Sequence, residues 1–115
     1  MRPLFTNGRR QVAITGLGPV TAVGIGVEGL WEGLRREASP VRRITHFDAS
    51  PFRSTMAAEV DGFEPNAFME RSRARRLDRF GHFALAATRL ALDDAGFWST
   101  GVDPARVAVQ MGSAL

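Results

Sequence analysis

The chain has 115 residues, a net charge of +3, and 44% hydrophobic, 9% aromatic and 23% charged residues. That length holds one small domain, and the composition excludes disorder of the whole chain, which needs fewer apolar residues and a larger net charge. No apolar run approaches the ~20 residues of a membrane-spanning helix, so the expectation is a cytoplasmic protein with no membrane partner.

Residues 1–10 are polar, contain Gly and Asn, and read as a loose leader with no signal-peptide character. Gln11 to Thr15 (QVAIT) is a short apolar, β-branched run ending at Gly16, the pattern of a buried strand. GLGPVTAVGIG follows, with glycines at 16, 18, 24 and 26 around Pro19, and predicts a loop of special backbone angles. From Val27 to about Glu37, Leu30, Trp31 and Leu34 recur at helical spacing, with Glu28 in the first turn and Arg35 and Arg36 in the last, as a helix dipole favours. Ser39-Pro40 stops that helix. An irregular excursion runs to Pro65, with Ile44 and Phe47 as loop anchors, a short strand at Met56 to Val60, and a helical turn from Pro65 to Met69.

The strongest periodicity predicts a helix from about Arg73 to Ala95. Leu77, Phe80, Ala84, Ala87 and Ala91 share one face, and Phe83, Leu85, Leu90 and Leu92 fill the others, so its second half is apolar nearly all round and belongs inside a larger body. Gly96 is placed to cap it, and Trp31, Phe80 and Phe83 are assigned to the core. Arg106 to Met111 (RVAVQM) then predicts a second buried strand. The order strand, Gly loop, helix, excursion, helix, strand indicates an α/β protein with a largely parallel sheet, of which two strands are too few to stand alone.

The absence of cysteine removes disulfides, thiolate zinc sites and a cysteine nucleophile together. His46 and His82 have no ligand-like spacing, so no metal is expected. All fifteen basic residues are arginine, so the high isoelectric point reports residue choice and not an excess of positive charge. The glycine loop suggests a small nucleotide-binding module. Yet the third glycine of GxGxxG is replaced by Thr21, Pro19 removes an N–H, and no acidic ribose ligand ends a second strand. The alternative is a structural turn without a cofactor. Arg71, Arg73, Arg75, Arg76 and Arg79 form a basic run at the start of the long helix, opposing its dipole, with Asp78 offsetting part of that cost. No stacking aromatics are interleaved, so no nucleic-acid partner is expected.

Taken together, RRQVAITGLGPVTAVGIGVEGLWEGL, ITHFDASPF, AAEVDGF, RRLDRFGHFALAATRLALDDAG and VAVQMGS resemble the start of β-ketoacyl-[acyl carrier protein] synthases, in register and without insertion from Arg9 to Leu115. The resemblance implies the N-terminal part of a thiolase-like fold, five-layered α/β/α/β/α in the whole family, with residues 11–115 as a partial domain. It also implies a homodimer and a decarboxylating Claisen condensation of an acyl thioester with a malonyl carrier. The family's cysteine and two histidines lie beyond Leu115, and neither His46 nor His82 takes their place, so this segment is expected to be inactive alone. A chain-length-factor-like subunit without the nucleophile shares the same scaffold. The resemblance gives the basic run a partner, the acidic acyl carrier protein, docking at Arg71, Arg75 and Arg76. It places Leu115 at the acyl pocket, against the alternative of an ordinary core leucine, with Ala114 standing where many relatives have Gly.

Overall fold

The structure, a computed structural model, describes residues 5–6 and 9–112. Within residues 1–10, β1 (Phe5–Thr6) pairs antiparallel with β2 (Arg9–Arg10). The glycine loop leads into a tight hairpin of β3 (Val20–Thr21) and β4 (Gly24–Ile25), with Val20 opposite Ile25. The Thr21 hydroxyl closes it, donating to the Gly24 carbonyl at 2.8 Å and accepting the Gly24 N–H at 3.2 Å. Helix α1 (Gly26–Arg35) follows, carrying Glu28 in its first turn and Arg35 in its last.

β5 (Val41–Arg43) and β6 (Met56–Ala58) form a third antiparallel pair, Val41 opposite Ala58 and Arg43 opposite Met56. The loop between them is held by an edge-to-face pair of Phe47 and Phe52, 5.9 Å between centroids, and by Asp48 accepting the Ser50 N–H at 3.0 Å. A 3-10 turn at Pro65–Ala67 follows the expected position of Pro65 at a helical start.

The long helix is shorter than its periodicity predicts. The segment from Arg71 onward divides into α2 (Arg71–Ala74) and α3 (Arg79–Asp94). Asp78 causes the break: its backbone is extended and its Oδ1 accepts the Gly81 N–H at 2.8 Å, an N-cap that starts a new helix. Gly96, at φ 61°, adopts the left-handed conformation that ends α3, as expected of it.

The core gathers around α3. Ala86 is completely buried, and Phe63, also buried, stacks on Phe68 at 5.5 Å and meets the edge of Phe83 at 5.0 Å. Of the three aromatics assigned to the core from sequence, Phe83 packs there. Phe80 is half-exposed, and Trp31 lies on the surface under the Arg35 guanidinium.

The glycine loop packs across α3. A Cβ on Gly16 would collide with the main chain of Ala91, and one on Gly18 with that of Ala87. Two glycines facing two alanines let the backbones touch. Asp94 fixes the crossing, its Oδ2 accepting the Leu17 N–H at 2.8 Å.

The two apolar runs read as strands do not pair. Among the described residues every ladder is a two-stranded antiparallel one, and neither 11–15 nor 106–111 belongs to any of them. Val12 is 93% and Ile14 84% exposed. A strand exists only beside a partner that takes its N–H and C=O groups, and the chain does not bring these runs alongside each other.

Candidate functional site

The basic run divides into two groups. Arg79, the first residue of α3, donates from Nη2 to the Val60 carbonyl and lies over the Phe83 ring at 4.9 Å from its centroid. It is a packing residue, tying the β6 exit to α3. Arg71 and Arg73 stand on α2, Arg75 is its C-cap, and Arg76 follows in the turn. Among the described residues, none of these four side chains takes part in a hydrogen bond or ion pair, and all four residues are exposed. The turn is closed by backbone alone: Arg75 N–H donates to Arg71 O at 3.1 Å and Arg76 N–H to Arg73 O at 3.0 Å.

Sequence periodicity sets these arginines against the positive end of a long helix. In the structure Arg75 and Arg76 lie in the turn after α2, outside both helices, and the Asp78 carboxylate caps α3 between them and its first turn. His82 braces the turn, its Nε2 lying 2.7 Å from the Ala74 carbonyl. His46 lies on the excursion, with Nε2 3.8 Å from the Glu59 carboxylate. Leu115 and Ala114 lie outside the described residues.

Beside α2 is a half-open groove of about 400 Å³, lined in part by Phe68, Arg73, Leu85, Leu92 and Trp98. Arg73 therefore belongs to both the basic turn and the groove. Sequence reasoning does not single out Trp98 or Arg73 as site residues. An exposed Trp following the Gly cap of a buried helix is the signal that could have found the first.

The glycine loop offers little to a phosphate. Asp94 already occupies the Leu17 N–H, and the depression beside the start of α1 is lined by Glu28, Asp93 and Asp94. Three carboxylates repel an anion where a dinucleotide would need donors. The loop is a structural crossing.

The family model for the β-ketoacyl synthase N-terminal domain matches residues 9–115. The chain belongs to the β-ketoacyl synthase family. It is 41% identical over 112 residues to the granaticin polyketide putative β-ketoacyl synthase 1 of Streptomyces violaceoruber, covering 92% of this chain and 25% of that protein. To the 3-oxoacyl-[acyl-carrier-protein] synthase 2 of Synechocystis it is 33% identical over 107 residues, covering 93% and 26%. The chain thus spans about a quarter of the length of these curated relatives. Among solved structures, the ishigamide ketosynthase/chain length factor aligns with a TM-score of 0.64 at 41% identity, over 72% of this chain and 21% of that one. A β-ketoacyl synthase from Burkholderia phymatum gives 0.61 at 35% identity, over 76% and 22%. These neighbours are ketosynthases, and the described residues of this chain form an α/β part of their thiolase-like fold. Among its described residues no helix is long and apolar enough to cross a membrane.

Proposed function

We propose that this chain is the N-terminal part of a cytoplasmic, homodimeric 3-oxoacyl-[acyl carrier protein] synthase of fatty-acid or polyketide synthesis. The synthase catalyses decarboxylating Claisen condensation, with its cysteine nucleophile and histidines supplied by sequence outside these residues. The segment contributes scaffold and a docking edge for the acyl carrier protein at Arg71, Arg75 and Arg76, and no chemistry of its own. The observation that carries the docking edge is the set of four exposed guanidinium groups, on α2 and the turn after it, without a partner among the described residues, next to a fifth, Arg79, that is fully engaged. Free, clustered positive charge attracts an acidic partner and speeds encounter.

In the full-length synthase, replacing Arg75 and Arg76 together with Glu raises KM for the acyl carrier by roughly tenfold or more at low salt and leaves kcat within about twofold. The effect shrinks as salt screens the charges. Steady-state kinetics across ionic strength measure this, and an unchanged KM at low salt rejects the docking edge.

A chain-length-factor-like subunit is the second reading, favoured by the 41% identity to a solved structure named for both a ketosynthase and a chain length factor. The residue at the nucleophile position of the full-length protein separates the two: cysteine for the synthase, another residue for the non-catalytic subunit.

A further inference from the structure

The groove beside α2 is built in a way that a passive surface depression is not. Trp98 is 69% exposed, yet its indole is fixed: Nε1 donates to Asp93 Oδ1 at 2.7 Å, and the ring meets Phe97 edge-to-face at 5.5 Å. Asp93 is held in turn by Arg89, whose Nε lies 3.7 Å from Oδ2. Arg89 also donates from Nη1 to the Phe68 carbonyl at 3.3 Å, bracing the opposite wall. Leu85 and Leu92, seven residues apart on α3, fall on one helix face and give the groove apolar lining. Arg73 adds a cation with no partner among the described residues. A rigid exposed Trp beside a free Arg and a desolvatable apolar floor is the composition of a binding hot spot, with the ordering cost already met by the fold.

Glu70 and Asp93 line the same groove. They offset Arg73 and Arg89 on the same lining, so no net charge recruits a small free anion, and Phe68, Leu85, Leu92 and Trp98 favour an uncharged apolar side chain. The unpaired arginines of the adjoining turn set the charge of the partner that brings it. We infer that the groove seats an apolar side chain of the acyl carrier protein, packed against Trp98, while Arg73 pairs with a carboxylate flanking that side chain. The inference rests on the docking reading above and extends the docking surface around α2 to a face that the basic turn alone does not include.

The test uses the full-length synthase and its acyl carrier protein, with affinity measured from low to moderate salt. Trp98→Ala weakens binding roughly tenfold with the salt dependence unchanged, because the lost contact is apolar. Arg73→Ala weakens it severalfold and flattens the salt dependence, because the lost contact is ionic. With Trp31→Phe as background, so that Trp98 is the sole tryptophan of this segment, its emission shifts to the blue on carrier binding; tryptophans elsewhere in the full-length protein are replaced likewise. This readout needs no change at the groove and stands if Trp98→Ala fails to fold. Carrier binding that depends on Arg75 and Arg76 but leaves Trp98 emission unmoved and is unaffected by Arg73→Ala overturns the groove and retains the docking edge. Binding indifferent to Arg75 and Arg76 as well removes both.

Discussion

Glu59 shows how one carboxylate organises an irregular segment. Its side chain is 9% exposed and accepts the Thr45 N–H at 3.1 and 3.2 Å, the Thr45 hydroxyl at 2.8 Å and the His46 N–H at 3.1 Å, with Arg42 Nη2 at 3.5 Å. Burial acts to raise its pKa, but the hydrogen bonds from Thr45 and His46 and the nearby His46 ring outweigh it and hold the group below its ordinary value of 4.5. A depressed carboxylate stabilises the fold above its unfolded value and loses that contribution as pH falls through the folded one. In the full-length protein Glu59→Gln therefore lowers the melting temperature at neutral pH, and the gap to the unsubstituted protein closes as pH falls below 4.5. Thermal melts of the two proteins from neutral to acidic pH check this, and a gap independent of pH contradicts it. Residue identity alone does not single out Glu59, because its partners, Arg42 on β5 and Thr45 and His46 just beyond it, meet it only through a strand pairing that the fold fixes. Asp93 and Asp94 are similar. Acids at the end of α3 oppose its dipole, and their reason is tertiary: Asp93 fixes Trp98 and Asp94 fixes the glycine loop.

Among the elements, the contact of the glycine loop with α3 sets the geometry of the rest. The loop runs directly over Ala87 and Ala91, residues that the helical period places on the apolar face. Periodicity marks them as buried but not what covers them, and the GLG spacing draws attention to a cofactor when it serves a backbone crossing. Gly18→Ala in the full-length synthase forces the loop away from α3 and costs about 2–3 kcal/mol of stability, the upper part of the range for overpacking. Denaturant unfolding measures it, and a loss below about 0.5 kcal/mol would mean that the loop is not in contact there. The division of the long periodic segment into α2 and α3 was legible in principle. Asp78, three residues before Gly81, is an N-cap that the continuous apolar spacing on either side conceals. That division turns Arg75 and Arg76 from an ill-placed helix start into a free turn, and so bears directly on the docking reading.

The whole molecule is more open than its length requires of a self-contained domain. Its radius of gyration is 18.0 Å, where a compact chain of this size has about 13 Å. Its accessible surface is 9820 Å², against roughly 6200 Å² for a folded monomer of the same mass. The excess includes the apolar runs around Val12 and Val109, which no strand covers. Produced as these 115 residues, the chain self-associates and lacks a cooperative melting transition, because exposed apolar strand-forming segments pair between molecules. Size-exclusion chromatography with calorimetry tests this, and a monomer with a sharp melt refutes it. The sequence by itself determined the family, helix α1, the end of α3 with its cap at Gly96 and the absence of a cysteine nucleophile from these residues, because these rest on residue order and local spacing. Only the tertiary structure decided which arginines are free, why the glycines face alanines, and that Trp98 is held at a groove. Those depend on which distant segments meet, and a linear pattern carries no such information.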